Sequence, residues 1–152
     1  MESLNLKRTM YLTEDEIRDN AKVILGFDEK DPDVKQGTGQ ITTFNQLGFK
    51  GVSDKPDGWY LPNDKQDIAI ILETKSEKED VFSEKHYAEL VKNIEIAALQ
   101  YKRVVGILYN GTDVRVIKYI KGSEQYEEIA DVAKTLQNKR YYICLLYTSD
   151  AA

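Results

Sequence analysis

Ile68-Ala69-Ile70-Ile71-Leu72-Glu73-Thr74-Lys75 is apolar for five residues and then turns abruptly to charge. A strand buried on one face alternates apolar and polar residues, whereas one covered on both faces is apolar throughout. The run therefore predicts a central strand with a layer on each side. Upstream, Gly58 to Leu61 reads as a short strand, and Pro62-Asn63-Asp64-Lys65 has the composition of a turn. The two strands make a hairpin.

Outward from this hairpin the elements follow in order. Thr13 with Glu16 three residues later is a capping box, and Glu14 and Asp15 add acid to the first turn. Ile17, Ala21, Ile24 and Leu25 then share one helical face, and Gly26 supplies the stop. From Phe27 to Lys55 the chain is rich in Gly, Asp, Thr and Gln and reads as a long irregular connection, with a short strand or helical turn near Ile41 to Leu47. Ser83 or Glu84 opens a second helix reaching about Tyr101, with Tyr87, Leu90, Val91, Ile94, Ala97, Ala98 and Tyr101 as its apolar stripe. Arg103 to Tyr109 and Val114 to Ile120 are strands joined through an Asn110-Gly111 turn, and a last helix is expected from Glu124 to Leu136. The order predicts an α/β fold whose central mixed sheet is flanked by helices, because a crossover helix joins its neighbouring strands in parallel.

Composition narrows the function classes. With 152 residues, 41% hydrophobic and 31% charged, the chain suits one globular domain. No stretch is apolar and long enough to span a bilayer, and Met1-Glu2-Ser3-Leu4 does not begin a signal peptide. One cysteine excludes an internal disulfide and a cysteine zinc cage, so a cytoplasmic setting is expected; one histidine, His86, excludes a multi-histidine site. The net charge of −5 argues against a broad basic DNA-binding surface. It does not argue against a carboxylate site, because bound cations reverse the local sign.

Residues 13–143 read as the domain, behind a leader of residues 1–12. The last nine residues, Cys144-Leu145-Leu146-Tyr147-Thr148-Ser149-Asp150-Ala151-Ala152, break the preceding pattern. Read back through the genetic code they fit one frame of a transposon mosaic-end adapter used in preparing sequencing libraries. Residues 144–152 are then a foreign tail, the native chain continues past Ile143, and the tail is not expected to pack into the core.

The chemistry gathers at Pro56-Asp57 and, after fifteen residues, Glu73-Thr74-Lys75. An Asp on one strand of a hairpin and a Glu on its partner can converge on a hard divalent cation that keeps several waters. Lys75, two residues after Glu73, points to the same face, where an ammonium can orient a water or stabilise charge on a phosphorane; Thr74 points to the other.

Pro56-Asp57 with Glu73-x-Lys75, fed by an apolar strand, resembles the signature of the PD-(D/E)XK nucleases. The element order from Thr13 to Ile120 is similar to the N-terminal nuclease domains of type I-like and fused restriction-modification proteins. The resemblance implies a restriction-endonuclease-like core and Mg²⁺-dependent DNA cleavage, with Mn²⁺ able to substitute. Asp57, Glu73 and Lys75 would be catalytic, Asp57 and Glu73 the metal ligands. The implied partners are DNA and a methyltransferase, specificity or motor module on the same polypeptide or complex. The alternative is a catalytically inactive DNA-binding or assembly module of the same fold.

Glu16 lies where relatives often carry an acid that completes the metal site, although its place in the capping box already accounts for it. Relatives also carry Gln and Tyr four apart on the crossover helix. Here Asn93 and Ala97 stand at about that place, with Gln100 and Tyr101 adjacent, which leaves any role of Lys92, Asn93 or Gln100 open. His86 is read as a surface residue. Gly37-Thr38-Gly39-Gln40 is read as a flexible loop, since it lacks the Lys-Ser/Thr of a phosphate cradle. Most of the ten tyrosines, and Trp59 with Tyr60, are read as core.

Overall fold

The computed structural model describes residues 11–123 and 125–151, without the side chains of 148–151. The leader up to residue 10 and the expected helix start at Glu124 lie outside the described residues. The elements are α1 (Glu14–Leu25), β1 (Val34–Thr38), β2 (Gly58–Pro62), β3 (Ala69–Thr74), α2 (Glu84–Ala97), β4 (Arg103–Tyr109), β5 (Val114–Ile120), β6 (Tyr126–Glu128) and α3 (Lys139–Ala151). One six-stranded sheet runs in the order β1-β2-β3-β4-β5-β6. Only the β3–β4 pair is parallel, and it is the pair joined by the α2 crossover. The fold is α/β, with a mixed sheet between helices.

The all-apolar run of β3 has the predicted cause. Ala69 and Ile71 face a core with Leu90 and Ile94 of α2, and Ile70 and Leu72 face a second core with Ile17, Ala21 and Leu25 of α1. Every residue of β3 is buried. Two glycines bring the layers close. A Cβ on Gly58 would stand 2.8 Å from the Leu72 side chain, and one on Gly106 would stand 2.5 Å from Ile94. Their bare backbones let β2 close on β3 and α2 settle onto β4.

Four expectations need correction. The connection after α1 contains β1, which pairs antiparallel with β2 across Gly37↔Trp59. Val34-Lys35-Gln36-Gly37-Thr38 lacks alternation because β1 is a half-exposed edge strand with little apolar face to declare. The helix expected up to Leu136 is instead β6 followed by irregular chain. There β5 offers an open edge, Tyr126 stacks on Tyr119 with centroids 4.8 Å apart, and Lys118 pairs with Glu127. Tertiary pairing overrides the local helical pattern. The crossover helix ends at Ala97, a turn short of Tyr101. Finally, one residue after Ile143 does pack into the core: α3 runs on past it, and Leu146 is fully buried beside Tyr142, one helical turn away. A Leu at that spacing buries whatever its origin.

Candidate metal and catalytic site

Asp57 sits immediately before β2, and antiparallel pairing of Gly58 with Leu72 sets it beside the C-terminal end of β3. Its Oδ2 accepts the Thr74 backbone N–H at 2.8 Å and the Thr74 hydroxyl at 3.2 Å. Glu73, only 6% exposed, lies close enough for charge repulsion and a hydrogen bond between the two carboxyls. Burial, then the Asp57 charge and that hydrogen bond, push the Glu73 carboxyl well above the usual carboxylate range; Asn93 and Lys75 oppose this. Asp57 and Glu73 thus lie at the same end of β3.

Strand parity holds for the third residue. Both Glu73 and Lys75 reach residues of α2: Asn93 Nδ2 donates to Glu73 Oε1, and Lys75 Nζ donates to Glu89 Oε2 at 2.7 Å. Burial alone would lower the Lys75 ammonium, but Glu89, Glu73 and Glu14 outweigh it and hold it above its ordinary value. For Glu89, burial alone would raise the carboxyl, yet Lys75 and His86 hold it below the ordinary range. A cavity of about 180 Å³ opens here, lined by Asp54, Lys55, Glu73, Glu89, Lys92 and Asn93. Lys92 is largely exposed on its rim, paired with Asp54 at 2.5 Å.

On the first helix, Glu16 and Glu14 face different surroundings. Glu16 is spent on the capping box: its carboxylate accepts from the Thr13 backbone and hydroxyl, and its N–H donates to Thr13 Oγ1. Glu14 instead feels Asp57 and Lys75. Burial first, then the Asp57 charge, raise its carboxyl, while Lys75 and Arg18 pull it back. A signal was there in the sequence. Glu14 precedes Ile17 by three and Ala21 by seven, so it shares the buried face, and Glu16 does not.

Other candidates sort as follows. Gln100 donates to the Gly48 carbonyl at 2.8 Å, and the Tyr101 hydroxyl donates to the Pro62 carbonyl, so both tie down structure away from the carboxylates. Trp59 is core, and Tyr60 stacks on Phe27. Gly37 and Thr38 belong to β1. His86 is not a surface residue: it is 6% exposed, with Glu89 and Glu79 at its two ring nitrogens. Neither Glu89 nor His86 declares itself in the sequence, because their place depends on which face of α2 meets the end of β3.

No family model, curated protein or solved structure matches the chain.

Among the described residues, no set of three or more His, Cys, Asp or Glu side chains is arranged to hold a metal ion. The carboxylate pair is still suited to a cation. Like charges crowded in a buried position are unfavourable until a proton or a cation sits between them, and Mg²⁺ binds through one or two carboxylates while keeping its waters. Among the described residues, no helix is long and apolar enough to cross a membrane.

Proposed function

We infer that this chain is a Mg²⁺-dependent DNA endonuclease domain of the PD-(D/E)XK type, acting within a restriction-modification system. The observation that carries the reading is the placement of Asp57 and Glu73 at one strand end, where Asp57 accepts the Thr74 N–H, with Lys75 reaching α2 as Glu73 does. Asp57 and Glu73 would hold the ion, and Mn²⁺ could take its place. A bound ion supplies charge withdrawal from the phosphate and a more acidic water.

The chain's own residues do the rest. Lys75 places a protonated ammonium beside the carboxylate pair, where it can orient the attacking water and offset charge growing on the phosphate. Asn93 fixes the Glu73 carboxylate, and Thr74 fixes that of Asp57, so neither needs to reorganise. Lys55 and Lys92 at the cavity rim suit a phosphodiester backbone. With a net charge of −5, the domain gains little from general phosphate attraction. A methyltransferase, specificity or motor module in the same polypeptide or complex would supply the missing DNA affinity, in the cytoplasm.

Nicking of supercoiled plasmid at low salt and high protein concentration tests this. Cutting is expected with Mg²⁺ or Mn²⁺, none with chelator, and none from Asp57→Ala. Metal-independent cutting would overturn the reading; DNA binding without cutting under any divalent ion would favour an inactive binding or assembly module.

A further inference from the structure

The polar contacts of Lys75 do not stop at Glu89. Glu89 Oε2 meets the Lys75 ammonium at 2.7 Å, and its Oε1 lies 3.3 Å from His86 Nδ1. His86 Nε2 in turn lies 3.4 Å from Glu79 Oε2. The Glu79 carbonyl accepts a hydrogen bond from Asn110 at 2.7 Å, and the His86 backbone N–H donates to Ser83, the N-cap of α2. The β3–α2 connection and α2 itself thus meet in one chain: Glu79-His86-Glu89-Lys75.

The arrangement exceeds what packing asks. A neutral imidazole offers one N–H donor and one acceptor nitrogen, yet this one faces an acceptor-only carboxylate at each nitrogen. Glu89 lines the cavity beside Glu73. Lys75 sits on a flexible four-carbon stem, and Glu73 and Glu89 both pull on its charge. Were Glu89 free to turn, the ammonium could collapse onto Glu73 and occupy a carboxylate meant for a cation. His86 occupies the second oxygen of Glu89 and so limits that turn.

We propose that Glu89 is a positioning residue for Lys75, held in place by His86 and Glu79. Its bearing on cleavage rests on the nuclease reading. The placement of Lys75 does not, and is measured separately.

Lysine ammonium protons are seen by ¹⁵N correlation spectroscopy when hydrogen bonds slow their exchange. The Lys75 signal, assigned by its loss in Lys75→Arg, is expected in the wild type and in His86→Asn, which keeps a donor near Glu89. It is expected to vanish in Glu89→Gln and His86→Ala. On plasmid DNA at saturating Mg²⁺, Glu89→Gln should lower kcat at least tenfold with KM within twofold, and His86→Asn should recover most of what His86→Ala loses. Thermal melts check folding; if His86→Ala does not fold, Glu79→Gln takes its place. A wild-type kcat and an intact Lys75 signal in Glu89→Gln would overturn the proposal. So would a tenfold loss of Mg²⁺ affinity in that variant by calorimetry, since it would make Glu89 a ligand. If the wild type cuts nothing, the nuclease reading fails, and the ammonium signal alone decides whether the chain of contacts sets Lys75.

Discussion

Asn93, on the inner face of α2, donates its side-chain amide to the Glu73 carboxylate at the end of β3. Both residues are buried, Asn93 7% and Glu73 6% exposed. A buried carboxylate without its donor bears a desolvation cost of about 1–3 kcal/mol, more when charged. Asn93→Ala is therefore expected to lower stability by about 1–3 kcal/mol at neutral pH in the absence of metal, and to raise the Glu73 carboxyl further. Denaturant melts at neutral and acid pH check this. The loss should shrink at acid pH, where a protonated Glu73 no longer needs the donor; an equal loss at both would assign Asn93 to packing alone.

The pH dependence follows from the direction of the Glu73 shift. Burial, then the Asp57 charge, place its folded-state pKa above the unfolded value. The folded protein then holds a proton that the unfolded chain has released, so stability falls as pH rises between the two values. Below both, Glu73 contributes nothing. Glu73→Gln should flatten this fall, and the difference between the two melting curves isolates Glu73 from other carboxylates. Since a cation competes with that proton, the rise in Tm from Mg²⁺ should grow with pH over the same window and be absent in Glu73→Gln. A wild-type profile that climbs through the window relative to Glu73→Gln would reverse the sign argued here.

Lys75 and Asp57 should separate cleavage from metal binding. Lys75→Ala is expected to abolish nicking yet leave Mg²⁺ or Mn²⁺ titration by calorimetry largely unchanged, because the ammonium contributes charge and water position. Asp57→Ala should lose both. Folding should survive Asp57→Ala: the Thr74 N–H and hydroxyl lose an acceptor, but crowding against Glu73 is relieved. Full activity in Lys75→Ala would remove it from the mechanism.

How much of this was legible depends on whether a residue's role is local. The β3 run, the Thr13 cap and the Asn110-Gly111 turn state their own structure, and strand parity alone puts Glu73 and Lys75 on one face. By contrast β1 and β6 are edge strands whose pairing comes from neighbours, with no alternating pattern of their own. The same division runs through the site. Asp57, Glu73 and Lys75 announce themselves by spacing, whereas Glu89 and His86 join it only through the seating of α2 on β4, which Gly106 permits.

Glu14 and Glu16, two residues apart on the first turn of α1, should respond in opposite ways. Glu16 closes the capping box, and its carboxylate is the acceptor for the Thr13 backbone N–H. Glu16→Ala should lower Tm and leave metal affinity unchanged. Glu14 shares the field of Asp57 and Lys75 and is pushed upward by burial and by Asp57. Glu14→Gln should hold or raise stability at neutral pH while weakening Mg²⁺ binding several-fold, because one negative charge leaves the cation's surroundings. Melts and calorimetry on the two variants check both halves. An unchanged affinity in Glu14→Gln would confine the ion to Asp57 and Glu73.

Leu146 tests whether α3 belongs to the fold. Its side chain is fully buried in the core shared by α1, β3, β4 and β5, next to Tyr142, whose hydroxyl accepts the Gln137 N–H at 3.0 Å. Truncating a fully buried leucine costs about 2–5 kcal/mol, from lost burial and the cavity left behind. Leu146→Ala is expected to fall in that range by urea denaturation, and deletion of residues 144–152 to cost at least as much. Leu145 is only partly buried, and Cys144 is exposed, so Cys144→Ser should stay within about 0.5 kcal/mol of the wild type. The contrast matters more than either value, because it follows the helical period. A neutral Leu146→Ala together with a neutral deletion would mean that the core closes at Tyr142, leaving the adapter-like residues as an appendage with no part in stability.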